Sequence, residues 1–234
     1  MGIELKSHGI SDSVGSAALL ATLRGKITGR LALGLSLRVD RYGLKRDLNV
    51  PVERPSAKIP ISVRSARAVD LDRLLSPAMP LDPVERRELH ARRSFAEKVG
   101  GGAYVAIDER TGVPCYVQWL LGPSQNPVIA SLGGFPALSE GEALLEDAYT
   151  PPSHRGLGIM SAAMALIAEH GADIGARHVI TFVGVDNIAS LKGCKRAGFD
   201  PYLVHMQTNF LFGMIRRDRF EPLAEHDPRR QWKF

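Results

Sequence analysis

One segment, residues 142–199, restricts the fold more than the rest of the chain. Residues 143–150 read as a strand that Pro151 and Pro152 stop. The run Ser153-His154-Arg155-Gly156-Leu157-Gly158 then opens a helix expected over residues 155–174. Its apolar positions Ile159, Ala163, Leu166, Ile167 and Ile174 follow the 3.6-residue period of one buried face. A β-branched strand over residues 178–183 and a shorter helix over residues 188–197 complete it. Strand, helix and strand in this order place the chain in the mixed α/β class.

The residues before it carry the same alternation. Residues 61–64 alternate like a strand, and Asp70 is expected to cap a short helix that runs through Leu75. Pro83 opens a charged helix that ends at Gly100-Gly101-Gly102. Residues 103–108 and 115–121 read as a hairpin, and the glycines and prolines of residues 122–141 read as a long loop at a substrate site. Residues 202–215 read as strand-like.

Charge is distributed unevenly. The net charge is +5, and residues 1–60, with 10 basic and 5 acidic side chains, account for all of it. These residues read as a basic extension, expected to be one or two amphipathic helices, joined by a connector holding Pro51, Pro55 and Pro60 to a main domain over residues 61–234. Such an extension either packs on the main domain or touches a membrane surface or a partner. Nucleic acid is disfavoured, because the basic arm has neither interleaved aromatics nor a helix-turn-helix pattern. Two cysteines at positions 115 and 194 form no disulfide framework and no metal-ligand spacing, so no metal is expected. The longest uncharged N-terminal run, residues 13–23, is too short to span a bilayer and has poor signal-peptide flanks, which points to the cytoplasm, free or peripheral at a membrane.

The chemistry concentrates at the turn after the strand. A helix N-terminus offers unpaired N–H groups and partial positive charge to phosphate oxygens. Gly156 and Gly158 let a diphosphate approach the backbone, with no Cβ in the way. Ser161 stands where a dinucleotide fingerprint needs its third glycine, and the Gly-Lys-Ser/Thr of a P-loop is missing. Thr150-Pro151-Pro152-Ser153-His154-Arg155-Gly156-Leu157-Gly158-Ile159, followed by Asn187-x-x-Ser190 and Gly198-Phe199, resembles the two signatures of the GCN5-related N-acetyltransferase (GNAT) superfamily. Arg155 and Gly158 match the coenzyme A loop; Met160, in place of glycine or alanine, departs from it.

The resemblance implies a GNAT-like fold, a mixed sheet splayed between two central strands with acetyl-CoA in the wedge. The pyrophosphate would rest on the N–H groups of His154, Arg155, Gly156, Leu157, Gly158 and Ile159. Pantetheine would run along Ala148, Tyr149 and Thr150, and Asn187 and Lys195, with Lys192 and Arg196 nearby, would complete the coenzyme site. Asn187 is also a good N-cap whatever the function. Glu146 stands where the family often has a general base. Period-2 alternation puts Glu142, Glu146, Ala148 and Thr150 on one face, opposite Asp147 and Tyr149. The family's usual acid tyrosine is replaced by Cys194, which either protonates the leaving thiolate or is an inert core thiol. Tyr149 and Tyr202 are alternative acids. Gln118 and Trp119 either line the acceptor pocket or belong to the core.

The implied activity is acetyl transfer from acetyl-CoA directly to an amine on a small molecule or peptide. One alternative is transfer of a longer acyl chain, from CoA or an acyl carrier protein docked on Arg216, Arg217, Arg219 and the N-terminal cluster, at a membrane surface. Another is an acyl-CoA-binding sensor without catalysis. A homodimer is compatible with any of these.

Overall fold

The computed structural model describes residues 36–76, 82–211 and 214–231. Eight strands form one mixed sheet in the order β2-β3-β4-β5-β6-β1-β7-β8. They are β1 (Ser36–Asp47), β2 (Ile61–Ser65), β3 (Ala103–Asp108), β4 (Val113–Leu121), β5 (Glu142–Tyr149), β6 (His178–Gly184), β7 (Asp200–Phe210) and β8 (Ile215–Pro222). Five helices join them: α1 (Ala68–Leu75), α2 (Pro83–Val99), α3 (Asn126–Leu132), α4 (Ile159–Glu169) and α5 (Ile188–Arg196). The mixed α/β expectation therefore holds. Among the described residues, no helix is long and apolar enough to cross a membrane.

By its internal contacts the chain divides into a larger unit, Asp40–His205 with Phe220–Phe234, and a smaller one, Met1–Val39 with Met206–Arg219. Within the smaller unit, the described residues are the outer ends of β1, β7 and β8, where Arg216 pairs with Asp218 at 2.8 Å.

In the larger unit each sheet face buries its own apolar layer. On one face α4 and α5 contribute Ile159, Ala163, Met164, Ile167, Leu191 and Cys194, which pack with Tyr116, Leu145, Val179 and Leu44. On the other, Leu74 and Leu75 of α1, Leu89 and Val99 of α2, and Ile129 of α3 pack with Val117, Trp119, Leu144, Ile180 and Phe182. A sheet covered on both faces needs near-continuous apolar strands, and β4 is buried at every position after Val113.

Several expectations need correction. The segment 36–47 is a strand and not a helix: Arg41 to Asp47 pair antiparallel with Gly184 to His178. Its alternation places fully buried Leu44 in the core and leaves half-buried Lys45 beside Glu142. The helices expected earlier in the extension fall outside the described residues. Asp70 does not cap α1; Arg67 occupies that place, and Asp70, at the third helical position, accepts from the Arg67 N–H at 2.8 Å and from both Arg64 guanidinium nitrogens. Residues 122–141 are not one open loop, because they contain α3, started by Pro127 in its first turn. The Asn126 side chain ties α3 to Leu138 through two backbone hydrogen bonds. Finally α4 begins at Ile159 and ends at Glu169, since the positive φ of Gly156 and Gly158 precludes an earlier start.

Candidate functional site

The site begins where two parallel strands separate. β5 and β6 pair only from Glu142 to Leu144 against His178 to Ile180. Just past that point, Glu146 Oε1 accepts the Phe182 N–H at 3.0 Å, the side chain bridging the gap that the backbones no longer close.

A bulge in β5 then changes what faces where. Val117 opposes Tyr149 and Trp119 opposes Glu146, so β5 holds one residue more than β4 across this span. Asp147 lies in the left-handed region, with φ of 54°. The extra residue reverses the alternation expected from sequence. Ala148 packs with the Leu145 layer, and Tyr149 packs with Leu144 on the face that Glu146 shares. Asp147 is paired with Arg92, whose guanidinium carbon lies 4.9 Å from the centre of the Tyr149 ring. Burial raises the Asp147 carboxyl against the pull of that arginine.

A cleft of about 920 Å³ opens beyond the bulge. Ala148, Tyr149 and Thr150 form its β5 wall, residues 154–161 its floor, and Asn187, Ser190, Gly193 and Arg196 of α5 and its cap the far wall. Pro55, Ser56 and Lys58 also line it, so part of the segment read as a detached connector belongs to the site. The loop is built for backbone donation. The N–H groups of His154 and Arg155 are used in a 3₁₀ turn, donating to Pro151 and Pro152. From Gly156 to Ser161, no N–H donates to a partner among the described residues, and the first helical hydrogen bond runs from Ala162 to Gly158 at 3.3 Å. The N–H groups of His154 and Arg155, counted in the expected cradle, are therefore already engaged. Lys58, Arg92, Arg155 and Arg196 line the cleft against one carboxylate, Glu88, so its field favours an anion.

The remaining candidates separate clearly. Arg155 donates from Nε to the Thr150 carbonyl at 3.2 Å and so ties the loop to the end of β5. His154 has its Nε2 3.7 Å from Asp108 and is present through its backbone and this contact. Asn187 accepts the Ser190 N–H as the α5 cap, and it also lines the cleft. Arg196, not Lys195, lines the cleft, with its Nε 3.2 Å from Ser161 Oγ. Cys194 is fully buried, 3.7 Å from Met164 Sδ, does not line the cleft, and has its thiol pushed up to about 12 by burial. Tyr202 lies elsewhere, its ring 4.5 Å from Lys45 Nζ. Trp119 is core, edge-on to Phe95 at 5.3 Å.

Sequence reading missed Tyr116, which lines the cleft and donates from its hydroxyl to Gln118 Oε1 at 2.6 Å. Nothing in the spacing marks it, because a buried tyrosine on a central strand reads as core. Glu146 is not among the residues that line the cleft; it lies two residues before Ala148, at the bulge, and is the most perturbed carboxyl of β5. Burial raises it to about 7, with the Arg41 charge and the N–H groups of Phe182 and Asp147 pulling the other way.

The profile of the acetyltransferase (GNAT) family matches residues 71–199. The fold is similar to that of a Drosophila malonogaster protein of known structure, at 14% identity and a TM-score of 0.51, over 86% of this chain and 58% of that one. It is likewise similar to a GCN5-related glucosamine N-acetyltransferase region of a fungal multi-domain GH3 beta-N-acetylglucosaminidase. There the identity is 14% and the TM-score 0.52, over 84% of this chain and 23% of that one. This chain thus spans less than two thirds of either. No curated protein matches it in sequence.

Proposed function

The chain belongs to the acetyltransferase (GNAT) family, and on that premise we propose that it transfers an acetyl group from acetyl-CoA directly to an amine. The observation that carries this reading is the run of N–H groups from Gly156 to Ser161 that find no well-formed hydrogen bond among the described residues, at the start of α4 and lining a cationic cleft at the end of β5. Such a floor holds a diphosphate through the backbone and the helix N-terminus, and Lys58 and Arg196 add charge at its rim.

Acetyl-CoA supplies an activated thioester; the protein has to align it, take a proton from the amine and tolerate the departing thiolate. Glu146, poised near 7, is matched to accept a proton at neutral pH, whereas an ordinary exposed carboxylate is too weak a base. Tyr149 lines the cleft, and the position of its hydroxyl beside the bound thioester, not its acidity, which burial lowers, is what makes it the proposed proton source for the thiolate. Cys194 has no part in this scheme, being walled off in the core.

Calorimetric titration with acetyl-CoA, followed by a thiol-release assay over a panel of amines, tests the reading. Binding in the micromolar range and an acetylated product identified by mass support it. Absence of binding at millimolar acetyl-CoA rejects it. Binding without turnover on any amine or peptide overturns the catalytic part and leaves a sensor.

A further inference from the structure

Strand β1 pairs with β6 on the edge opposite β5 and brings a cation to the sheet face that carries the Phe182 ring. Arg41 lies opposite Gly184, and two residues along β1 Gly43 lies opposite Phe182, so Arg41 and Phe182 are diagonal neighbours on one face. The guanidinium leans over the Phe182 ring. Its central carbon is 5.6 Å from that ring and 5.1 Å from the ring of Phe135. It donates to the Gly134 carbonyl at 2.7 Å and from Nε to His205 Nδ1 at 3.2 Å, while His205 stacks on Phe220 at 4.5 Å. Two rings, a carbonyl and an imidazole therefore hold the guanidinium in one orientation. Phe182, beneath it, is the residue whose N–H holds Glu146 Oε1.

We infer that Arg41 is a positioning residue for Glu146: it clamps the Phe182 segment that holds the carboxylate and sets a fixed positive charge beside it. The inference rests on the acetyltransferase reading only in calling Glu146 a base. It goes beyond that reading by giving the N-terminal strand, which precedes the residues matched to the family, a part in the chemistry. The charge has a measurable consequence. Arg41 is the largest influence holding the Glu146 carboxyl down against burial. The other charged or titratable groups around it cannot replace it. Asp147, next in the chain, opposes ionisation and is itself paired to Arg92 of α2. From α5, Cys194 stays a neutral thiol, and from β7, His205 is bonded to Arg41 itself.

The test is a direct titration of Glu146 by carbon-detected NMR on full-length protein labelled at the glutamate carboxyls, the signal assigned by its loss in Glu146→Gln. In the wild type the midpoint is expected near 7. In Arg41→Gln it should move upward by about one pH unit or more, the size expected for losing one nearby partly buried charge. Arg41→Lys, which keeps the charge but not the planar fork, should recover most of that shift. A midpoint unchanged within about 0.3 pH units in an Arg41→Gln protein that melts cooperatively overturns the inference. If Arg41→Gln fails to fold, Arg41→Lys and Arg41→Met decide it: equal midpoints in the two reject a role for the charge. Acetyl-CoA titration of the same samples separates the two ideas. Loss of coenzyme binding in every protein, wild type included, sinks the acetyltransferase reading, while the Glu146 midpoints still judge Arg41.

Discussion

Glu146 is held in two tasks that pull against each other. Its Oε1 accepts a backbone N–H that would otherwise be left open at the strand separation, and its burial makes ionisation costly. Because its folded pKa, about 7, lies above its ordinary value of 4.5, the neutral form stabilises the fold at low pH. That contribution is complete below about 4.5 and is lost as pH rises through 7. Glu146→Gln keeps an acceptor for Phe182 and removes the titration. The variant should match the wild type near pH 4 and exceed it at pH 8 by at most about 3 kcal/mol, read from urea melts at the two pH values. Its acetyl transfer at neutral pH should fall by about 10²–10⁴-fold, as for removal of a positioned base. A loss below fivefold would assign Glu146 to structure alone. Cys194→Ala is the opposite case. The thiol is enclosed and holds its proton up to about 12, so turnover should stay within threefold while stability drops by about 1–2 kcal/mol for the small cavity. The sequence pointed to both positions, and burial raises both groups; what differs is their partners, a backbone N–H and the Arg41 charge at Glu146 against the Met164 sulfur at Cys194, and partners brought from distant elements are a tertiary property.

Pairs of elements account for what looked like a defect in the loop. Met160 departs from the small residue of the family pattern, yet its side chain lies over Gly193 of α5. A Cβ built at Gly193 would come 3.0 Å from Met160 Sδ and 3.5 Å from Ser161 Oγ. The extra volume on α4 is therefore accommodated by absent volume on α5, and the cleft between them stays open. Gly193→Val should force the helices apart and cost about 1–3 kcal/mol by overpacking, lowering both the melting temperature and acetyl-CoA affinity. Adding Met160→Ala in the same chain should restore most of the stability. Strict additivity of the two changes would show that the residues do not share space. The N-terminal turn of α4, the C-terminal glycine of α2 and the hairpin of β3 and β4 were legible from glycine and proline placement. The β5 bulge was not. Its left-handed residue is Asp147, where a glycine would have signalled the turn, and the period-2 reading consequently assigned Ala148 and Tyr149 to the wrong faces.

At the scale of the molecule, the division of the sequence at residue 60 misread how the larger unit is completed. A strong excess of arginine and lysine between apolar clusters resembles a surface helix more than an interior strand, although four glycines from position 25 to position 43 weaken any single long helix. Yet β1 lies between β6 and β7 in the sheet order, and within the larger unit Asp40 to Asp47 supplies three interior anchors. Leu44 is fully buried, Arg46 is buried with one guanidinium nitrogen donating to the Ala165 carbonyl at 3.0 Å, and Arg41 is clamped between Phe135 and Phe182. Cations hidden in this way carry no periodic signature, because their partners, the Ala165 carbonyl and Glu169 for Arg46 and two rings and the Gly134 carbonyl for Arg41, are distant in sequence. The basic excess of the first 60 residues is therefore used partly inside the sheet, and Lys58 places another part of it at the cleft. A chain beginning at Ile61 would leave the β6 edge unpaired from His178 to Gly184 and uncover the Leu44 contacts. That shortened chain should show no cooperative thermal transition and no acetyl-CoA binding. Leu44→Ala in the full chain, which leaves the strand in place, should fold with a loss of about 2–5 kcal/mol. Near-ultraviolet circular dichroism through the melt reads both outcomes. A cooperative melt of residues 61–234 with coenzyme affinity intact would restore the boundary at residue 60 and reduce β1 to an accessory strand.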